Sequence, residues 1–132
     1  MINEFGFQSR FADLTNNRSP ITGNNIYLAD PFGYLDFLNL MAHAKVVMTD
    51  SGGIQEETTV LDIPCITLRD TTERPITLTE GTNVLVHNDP DRMKEEFAKV
   101  LEGASKRGTC PDIWDGHTAE RIVSILATAG KI

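Results

Sequence analysis

Two hydrophobic periods take turns along this chain. From Asn25 onward, short apolar runs of β type alternate with stretches in which apolar residues return at three- and four-residue intervals. "IYLAD" (26–30) reads as a strand ended by Pro31. In "YLDFLNLMAHA", Tyr34, Phe37, Leu38 and Met41 fall at i, i+3, i+4 and i+7, the stripe of a helix with one buried face. "KVVMT" (45–49) is the next strand, followed by a helix from Gly53 to Leu61. "CITL" (65–68) follows Pro64, a helical turn covers Pro75 to Glu80, and "NVLVH" (83–87) is a further strand.

Two longer helices close the chain. "DPDRMKEEFAKVLEG" places Asp89 at the N-cap, Pro90 at the first helical position and Gly103 at the stop, with Met93, Phe97, Val100 and Leu101 as its apolar face. "HTAERIVSILATAG" carries Ile122, Ile125, Leu126 and Ala129 on its inward side. Strand and helix alternate throughout, which predicts an α/β fold: a Rossmann-like parallel sheet flanked by helices. The first 24 residues differ. "MINEFGFQSR" reads as the end of a helix with Gly6 as a stop, and "DLTNNRSPITGNN" as a polar connector. The 132 residues make one domain, 1–132, with a remnant helix and connector over 1–24 and a core over 25–132.

Composition narrows the function. A net charge of −7 with no basic stripe excludes general nucleic-acid binding. Cys65 and Cys110 form no C-x-x-C pattern, so neither a disulfide framework nor a metal site is expected, and a reducing cytoplasm fits. No signal peptide is visible, and no apolar run reaches the roughly 18–20 residues of a membrane span. His43, His87 and His117 match no ligand spacing and read as surface or capping residues. Trp114 reads as packing for its loop.

The chemistry gathers where a parallel sheet places its ligands, beyond the carboxyl ends of the strands. There "TDSGGIQEE" (49–57) joins a strand to a helix. Gly52 and Gly53 let backbone approach a ligand closely, and the helix start offers N–H groups to an anion. The same residues also suit a plain βα turn in which Asp50 or Ser51 caps the helix. Glu57, four residues after Gly53, shares its helix face and can accept hydrogen bonds from a ribose diol. Glu56 points elsewhere and reads as solvated, complementing the helix dipole. In "RDTTERP", Arg74 suits a second anion clamp, whereas Arg69 and Asp70 are expected to pair and shape the loop. Tyr34 and Phe37 are core residues by period, though either can stack on a base.

"DPFGYLDFLNLM", "TDSGGIQEE", "LRDTTERP" and "GTNVLV", in this order, resemble the carboxyl-terminal part of the non-hydrolysing UDP-N-acetylglucosamine 2-epimerases, from about Phe5 to Ile132. The resemblance implies part of the second domain of a glycosyltransferase-B-type fold. It implies interconversion of UDP-GlcNAc and UDP-ManNAc through elimination and re-addition of UDP, without a cofactor, in polysaccharide biosynthesis. By resemblance, Ser51, Gly52 and Gly53 bind the diphosphate and Glu57 the ribose hydroxyls. Phe37 lies against uracil, backbone near Phe32 reads its edge, and Arg74 sits by the diphosphate and reacting sugar as the one catalytic candidate.

The family's catalytic carboxylates belong to an amino-terminal domain that does not match any part of this sequence, nor do the first two strands of the second domain. The chain is therefore expected to be a fragment, inactive alone and completed by the missing domain or a separate chain; a homodimer is also compatible. The alternatives are a standalone nucleotide-sugar binding or regulatory module, and an α/β domain that only mediates assembly. Asp62 stands where the family commonly has glycine, and Ile76 where it has glutamate.

Overall fold

The structure, a computed structural model, describes residues 29–130. It divides into two compact units, Met1–Phe37 and Leu38–Ile132. The remnant helix and connector over 1–24 lie outside the described residues, as does most of the expected strand over 26–30. Its last two residues, Ala29 and Asp30, are not strand. Helix α1 (Tyr34–Ala42) opens with the Phe37 N–H donating to the Gly33 carbonyl at 2.9 Å. Of the expected stripe only Met41 is buried; Phe37 and Leu38 are half-buried and Tyr34 is exposed. His43 Nδ1 lies 2.8 Å from the Asn39 carbonyl, at the helix's carboxyl end.

The second unit then alternates as the hydrophobic periods require: β1 (Val47–Thr49), α2 (Gly52–Val60), β2 (Cys65–Thr67), α3 (Pro75–Thr79) and β3 (Asn83–Leu85). The strands form one parallel sheet in the order β1-β2-β3. Register pairs Thr49 with Thr67 and Thr67 with Leu85, so the loops after all three strands leave from one edge. Parallel neighbours need crossover connections, which α2 and α3 supply. Helix α2 packs against all three strands and α3.

The core of this unit is mixed. Met41, Cys65, Ile66 and Val86 are its buried apolar residues, alongside Gln55, Thr58, Thr59, Thr67, Thr77, Thr82 and Asn83. Burial pushes the Cys65 thiol up, against smaller opposing hydrogen bonds from Thr58 and Thr67. Two glycines allow backbone segments to touch: a Cβ on Gly108 would lie 2.6 Å from Thr82 N, and one on Gly81 would lie 2.8 Å from Thr77 O. The Thr109 N–H donates to Glu80 O at 2.8 Å across the same contact. Lys106 lies over the end of α3, its ammonium donating to the carbonyls of Leu78 and Asn83. Partial burial lowers its pKa.

Helix α4 (Pro90–Leu101) starts as its sequence predicts. Asp89 Oδ1 accepts from Asp91 N at 2.9 Å and Arg92 N at 3.2 Å, and Gly103 ends the helix at φ 72°. Helix α5 (Thr118–Ala129) follows a loop in which Pro111 is buried, Trp114 is half-buried, and Arg121 grips Asp115 at 2.9 Å. Those guanidinium hydrogen bonds hold the Asp115 carboxyl down at about 2.

Helix α5 corrects the expectation of an inward face, whereas α4 keeps part of its apolar face near β2. Phe97 and Leu101 are exposed while Met93 and Val100 are half-buried, and Ile122, Ile125, Leu126 and Ala129 are all exposed. The helical period decides which residues share a face, but not whether a surface exists to cover it. Among the described residues nothing covers that of α5, and no helix there is long and apolar enough to cross a membrane.

Candidate functional site

The turn between β1 and α2 is held from behind. The Ser51 N–H donates to Thr49 Oγ1 at 3.0 Å, and Ser51 takes the N-cap position with extended backbone. Its hydroxyl makes no capping bond. This differs from α4, where Asp89 occupies the first-turn N–H groups with its own carboxylate. The amino end of α2 is left open, and its unsatisfied N–H groups carry the positive end of the helix dipole.

The two glycines have different surroundings. A Cβ on Gly52 would collide with the Glu73 carboxylate and come within 3.8 Å of Arg74 Cγ. A Cβ on Gly53 would meet nothing within 4 Å. The protein's own packing therefore explains the glycine at 52 and leaves the one at 53 without a structural reason.

The loop after β2 folds over this turn. Arg69 Nη1 lies 3.0 Å from Glu73 Oε2 and donates to Asp50 O at 3.5 Å, tying the two loops together. The Glu73 carboxyl is held below its usual range, chiefly by its own backbone N–H and then by the charges of Arg69 and Arg74. Asp70 faces His87 instead, at 3.9 Å, so the expected Arg69–Asp70 pair does not form. Arg69 selects Glu73 because four residues of a tight loop bring the two over the same surface, while Asp70 points toward the loop after β3.

Glu56 is a second correction. It is half-buried, with Oε1 3.0 Å from Arg74 Nε. The buried Arg74 Nε has charge proximity to Glu56 but its Nε–H has no hydrogen-bond acceptor. Glu57, the next residue, is half-buried, and among the described residues its carboxylate has neither hydrogen bond nor ion pair in the structure.

Of the residues singled out from sequence, Ser51, Gly52, Gly53 and Arg74 come together at one helix start, with Glu57 on that helix. Phe32, which is exposed, and Phe37 lie in the other unit. Sequence reading missed Gln55 and Glu73. Gln55 is fully buried, with its Oε1 accepting from Thr72 Oγ1 at 2.6 Å and from Asn83 Nδ2 at 3.1 Å. A signal was available. Gln55, Thr58 and Thr59 recur at i, i+3 and i+4, the spacing of a buried face written in polar residues.

Comparison with known proteins decides the family. A family described as UDP-N-acetylglucosamine 2-epimerase matches residues 7–127. The chain belongs to the UDP-N-acetylglucosamine 2-epimerase family. The Methanocaldococcus jannaschii member is 43% identical over 110 residues, covering 83% of this chain and 29% of that protein. The one from Escherichia coli K12 is 44% identical over 107 residues, covering 77% of this chain and 28% of that protein. The crystal structure of the M. jannaschii epimerase in complex with UDP-GlcNAc and UDP superposes with a TM-score of 0.68 at 35% identity. It covers 96% of this chain and 32% of that one. The fold is thus the α/β, glycosyltransferase-B-type fold of these epimerases, and the chain spans less than a third of their length.

Proposed function

We propose that this chain is the UDP-binding portion of a UDP-N-acetylglucosamine 2-epimerase. The observation that carries the reading is the open amino end of α2: Gly53 with free space where a side chain would be, no side-chain cap, and Arg74 against the adjoining Gly52. Backbone N–H groups and the Arg74 side chain, whose Cγ adjoins Gly52, lie beside the place assigned to a diphosphate. Glu57 supplies acceptors for the ribose hydroxyls, with Phe32 and Phe37 assigned to the uracil. Free Cys65 and Cys110 fit a reducing cytoplasm.

In the reaction, UDP departs from C1 of the sugar as C2 loses its proton, and returns after a proton is delivered to the opposite face. The helix start and Arg74 stabilise the negative charge that UDP gains on leaving. Removing the C2 proton needs a base, and returning it needs an acid. Three carboxylates near the turn have other roles. Glu56 faces Arg74, Glu57 is assigned to ribose, and Glu73 is paired with Arg69 and made less basic by its surroundings. The family resemblance assigns those two groups to the part of the epimerase that this chain does not span, which also closes the site against water.

Incubation with UDP-GlcNAc in D₂O, with deuterium at C2 followed by NMR, tests this. The chain alone should give no exchange, and addition of the complementary amino-terminal segment of a relative should start it. Exchange by the chain alone, lost in Arg74→Ala, would make it a minimal enzyme.

A further inference from the structure

Arg74 is held at its backbone by both ends of one closed ring of hydrogen bonds. Its N–H donates to Thr72 Oγ1 at 3.0 Å, and Thr72 Oγ1 donates to Gln55 Oε1 at 2.6 Å. Asn83 Nδ2 donates to the same Gln55 oxygen at 3.1 Å and to Thr77 Oγ1 at 3.0 Å. Thr77 Oγ1 closes the circuit by donating to the Arg74 carbonyl at 2.8 Å. Gln55, Asn83 and Thr77 are almost fully buried, and Thr67 Oγ1 fixes the Asn83 amide by donating to its Oδ1 at 2.6 Å. The ring joins the first turn of α2, the start of β3, the first turn of α3 and the loop carrying Arg74.

The ring also carries a defect. Its donors require Gln55 Oε1 where it stands, because exchanging the amide's oxygen and nitrogen would set the Asn83 Nδ2 donor against another donor. In this orientation Gln55 Nε2 is buried with no acceptor. An apolar side chain would fill the same space without an unpaired buried amide, so stability alone does not account for glutamine here. What glutamine supplies is a rigid link between the helix that presents Gly53 and the backbone of Arg74, two residues after Thr72.

We propose that Gln55 and Thr72 are positioning residues that set Arg74 against the amino end of α2, an inference resting on the UDP-binding reading above. They touch no ligand themselves. Their work is to hold the arginine's backbone so that its side chain lies beside Gly52 before a diphosphate arrives, which avoids ordering the loop during binding.

The test is a double-mutant cycle on UDP affinity, measured by calorimetry, between Thr72→Val and Arg74→Ala. Thr72→Val keeps the shape of the side chain and removes the hydroxyl. Alone it should weaken UDP about tenfold, with uridine, which lacks phosphate, bound as by the parent. In the Arg74→Ala background the same substitution should change UDP affinity less than about twofold. Thr72→Ser, which keeps the hydroxyl, should restore the parent affinity, and Gln55→Leu should reproduce Thr72→Val. Equal losses with and without Arg74, or no loss at all, would overturn the proposal.

Hydrogen exchange at the Arg74 amide reads the ring without a ligand. It should accelerate more than about tenfold in Thr72→Val and return in Thr72→Ser, and unchanged exchange overturns the ring. A parent that binds no UDP while Arg74 exchange responds as stated would instead remove the UDP reading.

Discussion

Helices α2 and α5 make a useful pair of opposites. The buried face of α2 is polar, formed by Gln55, Thr58 and Thr59, and every strand of the sheet lies against that helix. The face of α5 is apolar, formed by Ile122, Ile125 and Leu126, and it is exposed, Ile125 by 66%. Hydrophobicity alone would have buried the second helix and left the first in solvent. In α2, crossover topology decides burial: a helix joining two adjacent parallel strands must lie on their sheet whatever its composition. Its threonines are then satisfied internally, Thr58 and Thr59 donating to the carbonyls of Ile54 and Gln55 at 2.8 Å, while Gln55 Nε2 is left without an acceptor. Among the described residues α5 joins no two strands of the sheet, so no such constraint acts on it.

The contrast can be broken most strongly from the polar side. Asn83→Ala removes partners from Gln55, Thr67 and Thr77 together and should destabilise the unit by about 3 kcal/mol in urea denaturation. A loss under 1 kcal/mol would mean that these buried groups find other partners. Glu57→Ala tests the side of α2 assigned to ligand. It should weaken UDP by about 1.5–3 kcal/mol in calorimetry and leave pyrophosphate affinity as it was, whereas equal weakening of both would give Glu57 a role in shaping the phosphate site. Ile125→Ser on α5 sets the lower end. Its face touches little, so the unfolding free energy should move by no more than about 0.5 kcal/mol. A large drop would show that α5 is covered.

The alternation of periods made the three strands and five helices of residues 34–129 legible, and at α4 a side-chain cap sets the start. Asp89 and Pro90 start α4 where the sequence places them. The departure at residue 62 also has a physical meaning: Asp62 sits at φ 55°, in the left-handed region that glycine enters most easily. Burial was less legible. The stripe of α1 buries only Met41, because a period of 3.6 carries no information about the opposing surface. At the site, Gly52 and Gly53 look alike in sequence, and only the path of the loop after β2 separates one packed by Glu73 from one facing open space. Helical phase separates Glu56 from Glu57 but is blind to Arg74, which arrives from another loop and gives Glu56 a partner.

The central claim is that the open turn at Gly53 receives the diphosphate of UDP, and Gly53→Val tests it most directly. A valine side chain there enters free space, so circular dichroism and thermal unfolding should match the parent. Titration of UDP into the ¹⁵N-labelled parent should shift the amides of Ser51 to Glu57 and of Arg74, and titration into Gly53→Val should shift none of them. A folded Gly53→Val that binds UDP as tightly as the parent would contradict the account.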